Sequence, residues 1–112
     1  MATSAARFAH RSEEDFANLF DFFKVDWRYE PRSFPIAWDA RGKVVESFTP
    51  DFYLPQFDIY IEVTTAASRF RTRKNRKIRL LRAAYPGLNV KLFGKDDVAH
   101  VLGKFGTYAV SL

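Results

Sequence analysis

The sequence predicts an α/β domain in the order α-β-β-β-α-β: a central mixed sheet flanked by helices, with a short C-terminal helix. Three observations predict it. Near the start, Phe16, Leu19, Phe20 and Phe23 recur at helical spacing. In the middle, "FDIYIEV" alternates, with Phe57, Ile59, Ile61 and Val63 on one face and Asp58, Tyr60, Glu62 and Thr64 on the other. A helix-length basic segment then runs to Pro86-Gly87 and is followed by the apolar "LNVKLF". Strand, helix and strand from Ile59 to Phe93 should form a right-handed parallel crossover.

The first helix starts at Ser12, a good N-cap, with Asp15 three residues on resembling a capping box. "VDWRYEPRSFPIAW" reads as extended, and Pro31 and Pro35 make it an edge strand or break it. "DARGK" is a turn and "VVESF" the return strand, a hairpin expected to make the sheet mixed and to end at Asp51. The basic helix is expected to be capped near Thr72. "KDDVAHVLGKF" reads as the closing helix, capped by Asp96 or Asp97. At 112 residues the chain is expected to be a single domain spanning residues 1–112, with 1–10 loosely packed.

Composition narrows the chemistry. Without cysteine there are no disulfides or thiolate metal sites, and His10 and His100 lie far apart, so a metal must take oxygen ligands. That favours Mg2+, with Mn2+ as substitute, or Ca2+. No apolar run has membrane-spanning length and "MATSAARFAH" lacks a signal-peptide core, which predicts a cytoplasmic protein without a membrane partner or small-molecule cofactor. Of eighteen basic residues, eight lie in Arg69–Arg82, a segment with no acid, leaving ten against thirteen acidic residues elsewhere. A confined basic patch fits a phosphate backbone, and equally describes a solvated helix face. Arg69, Arg71, Arg73, Arg76 and Arg79 are the candidate phosphate contacts, and Gln56, in a turn, the candidate for approaching DNA.

Hydrolysing a phosphodiester needs a divalent ion to polarise the phosphoryl group and activate water. Mg2+ takes one or two carboxylates from a protein. Asp51 and Glu62, on neighbouring strands with ten residues between them, can converge on such an ion, with the Val63 carbonyl facing it. Glu13 lies about 60° from the centre of the first helix's apolar stripe and Glu14 about 160° from it, so Glu13 looks towards the sheet. It is either a third ligand or a first-turn complement to the helix dipole. Glu30 could orient the site but reads rather as a strand-edge charge, and Glu46 could join the acid cluster through the hairpin but reads rather as solvated; Trp27 and Trp38 read as core rather than base-stacking residues, and both histidines as surface residues.

These features resemble the PD-(D/E)xK nuclease superfamily from Ser12 to about Phe93, through "SEEDFA", "WRYEP", "TPDFYLP" and "YIEV". The resemblance implies a restriction-endonuclease-like fold and a DNA endonuclease, with a metal held by Asp51 and Glu62 and helped by Glu13. It also implies double-stranded or branched DNA as substrate and a possible homodimer, for which Val98, Val101, Leu102 and Phe105 either supply an interface or, equally, cover the chain's own sheet. The chain further resembles bacterial domains that read "EVTT" followed by a T-x-K-N-x-K segment, here Thr72, Lys74, Asn75 and Lys77.

The departure is Thr64, which stands where the superfamily has lysine. On the basic helix Ile78, Leu81 and Tyr85 define the buried stripe, and Lys74 falls about 40° from Ile78. Either Lys74 replaces the strand lysine beside Glu62, or it snorkels past the core. Lys77, about 100° from Ile78, is the second choice. Two further functions fit the same residues: a nuclease fold without catalysis that binds DNA, and an accessory domain that binds a protein partner.

Overall fold

The structure is a computed structural model that describes residues 8, 11–64, 68–94 and 97, the side chains of 11 and 68–71 excepted. Its elements are α1 (Arg11–Phe22), β1 (Arg28–Tyr29), β2 (Phe34–Trp38), β3 (Val44–Phe48), β4 (Phe52–Leu54), β5 (Ile59–Val63), α2 (Ser68–Ala84) and β6 (Val90–Phe93). A mixed four-stranded sheet has the order β1-β4-β5-β6, and β2 and β3 form a second, two-stranded sheet. The pairs β1–β4 and β4–β5 are antiparallel, and β5–β6 is parallel as the crossover requires.

The predicted hairpin forms at "DARGK", where Asp39 Oδ1 accepts the amides of Arg41 and Lys43 at 2.9 Å each. It does not, as expected, belong to the central sheet. The pairing runs Phe34↔Phe48 and Pro35↔Ser47 in β2–β3, breaks, and resumes as Tyr29↔Phe52 and Arg28↔Tyr53 in β1–β4. The two sheets are thus halves of one long hairpin, broken where Pro31 and Pro50 offer no amide to the ladder. One hydrogen bond spans the break, from the Glu30 amide to the Asp51 carbonyl at 2.8 Å. The central sheet owes its mixed character to β4, a short strand in what the sequence predicts as the connection between Asp51 and the Phe57–Val63 strand. Asp51 therefore precedes β4 and does not end β3.

Two smaller expectations shift. The first helix already includes Ser12, and α2 begins at Ser68, four residues before Thr72. Strongly helical Arg and Lys residues carry it back to the β5 exit. It ends at Ala84, before the Pro86-Gly87 turn, as predicted. The expected C-terminal helix and its apolar residues lie outside the described residues, Asp97 excepted.

The sheet separates two clusters. On the α1 side lie Phe16, Phe20, Trp27, Phe52, Leu54, Ile61 and Val63. Phe52 is fully buried, with ring centroids of Phe20, Tyr29 and Trp27 at 5.1, 5.6 and 5.7 Å. Phe8, in the segment expected to be loosely packed, lies 4.8 Å from Tyr29. On the α2 side Ile78 and Leu81 meet Phe34, Ile36, Phe48 and Val90. Burying these apolar side chains supplies the main driving force for the fold. Among the described residues, no helix is long and apolar enough to cross a membrane.

Candidate active site

The site forms where the long hairpin breaks. Register places Asp51 opposite Glu62, one step beyond the Phe52↔Ile61 pair. The Asp51 amide donates to Glu62 Oε1 at 3.2 Å, and the Val63 amide donates to Asp51 Oδ2 at 2.9 Å. Two carboxylates on adjacent chain segments are thus fixed by backbone amides rather than by flexible partners. Both are buried, at 8% and 7% exposure, and Glu13 on α1 is buried at 5%.

Glu13 faces inward as its place on the helix wheel predicts, and Glu14 is exposed. The Tyr29 hydroxyl donates to Glu13 Oε1. One carboxylate oxygen each from Glu13, Glu30 and Asp51 lie mutually within 4.8 Å. The sequence favours a strand-edge charge for Glu30 over a part in orienting the site. Glu30 is exposed, but the hairpin break turns it towards Asp51 with a left-handed backbone, φ 45°. The β1–β4 register, continued one step, sets Glu30 opposite Asp51, whereas the β2–β3 register continued backwards sets Pro31 there, so the one-residue shift at the break hides Glu30 from a sequence reading.

Lys74 joins this site from the second turn of α2. Its Nζ lies 3.3 Å from Glu62 Oε2 and donates to the Val63 carbonyl. Thr64 is buried, and its amide donates to the Phe93 carbonyl at 2.8 Å, extending the β5–β6 ladder. An amine thus reaches Glu62 from the helix and not from position 64 of the strand. Lys77 is not brought in: its Nζ stands 6.0 Å from the ring centroid of Phe48.

Burial dominates the electrostatics. It pushes the Asp51 carboxyl up to about 6, aided by the charge of Glu13 and opposed by the Val63 amide and Lys74. Burial, then the charge of Asp51, pushes Glu62 up to about 8, and the Lys74 ammonium only partly opposes this.

Comparison with protein-family models, curated proteins and solved structures finds no match.

The remaining candidates lie around this centre. Arg76 forms a double hydrogen bond with Glu46, at 3.0 and 3.2 Å, tying α2 to β3 and holding the Glu46 carboxyl below its usual range. Arg73 and Arg79 are exposed on α2. Arg69 and Arg71 fall on its first turn, and their side chains are outside the described residues. Gln56 is not at the site. It sits in the β4–β5 turn, at the opposite end of that hairpin from Asp51 and Glu62, and its Oε1 accepts the Asp26 amide at 2.9 Å. Trp27 is core, with Nε1 donating to Asp21 Oδ1 at 2.9 Å, whereas Trp38 is exposed rather than core. His10 and His100 lie outside the described residues.

The donor set suits a hard cation. Carboxylate oxygens match Mg2+, Mn2+ or Ca2+, and among the described residues the site includes no nitrogen or sulfur ligand. Asp51 with Glu13 and Glu30 presents the converging oxygens, while the Glu62 Oε2 and Val63 carbonyl that sequence reading assigned to an ion are held by Lys74.

Proposed function

We propose that the chain is a Mg2+-dependent phosphodiesterase acting on DNA, a nuclease of the PD-(D/E)xK kind whose lysine has moved from strand to helix. The observation that carries this reading is Lys74 Nζ beside Glu62 Oε2 at 3.3 Å, with Asp51 hydrogen-bonded across the same strand end. Paired acids plus an amine are the minimum this chemistry needs, and Thr64 alone had left the amine missing.

The fold supports the reading. A first helix, an antiparallel pair broken at the acid, a further antiparallel strand, a crossover helix and a parallel strand follow the order expected of a restriction-endonuclease-like core. Asp51, Glu13 and Glu30 would hold the ion. When bound, it would supply charge at the phosphoryl oxygens and lower the pKa of water. The Lys74 ammonium would stabilise charge developing on the phosphate. Glu62 would hold that ammonium in place. Arg73 and Arg79 lie on the same helix as Lys74, so a phosphate backbone following α2 is led to the site.

Plasmid cleavage tests the reading. It should require Mg2+ or Mn2+, stop with EDTA, and vanish in Asp51→Ala and Glu62→Ala. Salt-sensitive DNA binding that needs no metal and yields no cleavage would overturn it in favour of a binding module.

A further inference from the structure

How many cations the site holds is written in the contacts of Lys74. The inference rests on the divalent-ion reading above and concerns the cation count alone. On the β5 side the oxygens are committed. Glu62 Oε1 accepts the Asp51 amide at 3.2 Å, and Asp51 Oδ2 accepts the Val63 amide at 2.9 Å. Glu62 Oε2 and the Val63 carbonyl share the Lys74 ammonium. On the α1 side the converging oxygens of Glu13, Glu30 and Asp51 face one another instead.

An ion chelated by Glu62 Oε2 and the Val63 carbonyl would have to sit within roughly 2.0–2.6 Å of both, on the ground that Lys74 Nζ holds, and two cations that close repel. Nor is the ammonium a casual visitor. It is carried by a helix whose next turns are anchored in the core through Ile78 and Leu81. Moving it away would leave Glu62, largely buried, without its cation.

We propose that Lys74 fills the second cation position of this site, so that the protein loads one divalent ion at Asp51, and that this lysine sets the stoichiometry. Deleting the amine while keeping the shape of its stem should then open the Glu62–Val63 position to a second ion.

Mn2+ binding to the full chain, counted by equilibrium dialysis with free Mn2+ read by electron paramagnetic resonance, tests this without any activity assay. The wild type should bind one ion per chain, lost in Asp51→Asn. Lys74→Met should bind two, the second lost again when Glu62→Gln is added. Lys74→Arg, which keeps a cation, should bind one. Two ions in the wild type, none in the wild type, or one in a folded Lys74→Met would each overturn the proposal. If Lys74→Met does not fold, the wild-type and Lys74→Arg counts decide. The nuclease reading fails separately: one ion bound but plasmid intact sinks that reading and keeps the count, whereas two ions with plasmid cut does the reverse.

Discussion

Asp51 and Glu62 meet across the open end of the β4–β5 hairpin, the amide of one donating to the carboxylate of the other at 3.2 Å. The geometry brings two buried acids together with one neighbouring ammonium, that of Lys74. Without a divalent ion the arrangement is electrostatically unfavourable. Burying these two acids side by side thus costs stability.

Replacing Asp51 by asparagine should therefore stabilise the ion-free protein while abolishing cleavage. Asparagine keeps an oxygen to accept the Val63 amide and removes the charge that burial disfavours. A gain of about 1–3 kcal/mol is expected from the size of such pKa shifts. It should appear as a higher melting temperature in EDTA. A fall in melting temperature would mean that Asp51 is ionised and satisfied by its neighbours.

The same acids set a pH dependence. Asp51 is raised from 3.8 to about 6 and Glu62 from 4.5 to about 8, so the folded chain holds protons that the unfolded chain has released. Their contribution to stability is fully present below about pH 4 and is lost as pH rises through about 6 and then about 8. Melting temperature in EDTA should fall across that window, and the slope should flatten in Asp51→Asn/Glu62→Gln. Mg2+ or Mn2+ should raise the melting temperature more at pH 8 than at pH 5.5, because protons compete for the same oxygens.

Lys74 and Lys77 should separate in kinetics. Removing one charged group that stabilises a transition state costs about 10²–10³ in rate. Lys74→Ala should show a loss of that size, with Lys74→Arg partly active, whereas Lys77→Ala should stay within about tenfold of wild type because its amine lies over Phe48. Single-turnover cleavage of a labelled duplex measures this directly. Equal losses in the two variants would remove Lys74 from its assigned place.

Tyr29 should matter through Glu13. Its hydroxyl donates to a carboxylate that is 5% exposed, so Tyr29→Phe leaves a buried acceptor short of a partner at a cost of about 1–3 kcal/mol. Losing a group that orients a ligand typically weakens metal affinity about 10–100-fold. Mn2+ titration of Tyr29→Phe should show that weakening with the ion count unchanged. Unaltered affinity would make Tyr29 a core residue only.

Much of this was legible in the sequence because period carries burial. The alternation in "FDIYIEV" correctly sent Ile61 and Val63 to one core cluster and Tyr60 to the other. The stripe of Ile78, Leu81 and Tyr85 placed Lys74 on the inner face of α2. Less legible was the hairpin break. Proline marks a missing donor but not the direction in which the chain bends, so Glu30 reads as a strand-edge charge and β4 as part of a connection. Gln56 was misplaced because a turn between two acids reads as near both, although hairpin pairing sends it to the opposite end. Trp38 was counted as core for its apolar ring, while its place at the end of β2 leaves it exposed.

The arginines of α2 should be unequal in DNA binding, and salt dependence should rank them. Each phosphate contact with duplex DNA adds about 0.9 to the slope of log affinity against log salt. Arg79 is exposed on the face of α2 away from the core, so Arg79→Ala should reduce that slope by about 1 without changing sequence preference. Arg76 is already engaged by Glu46 through two hydrogen bonds, and must give these up to meet a phosphate. Arg76→Ala should therefore change the slope by less than Arg79→Ala, and Glu46→Gln should raise affinity at low salt by freeing the guanidinium. Fluorescence anisotropy of a labelled duplex across a salt series, in EDTA to prevent cleavage, gives all three slopes. Identical slopes for wild type and Arg79→Ala would show that DNA does not follow this helix.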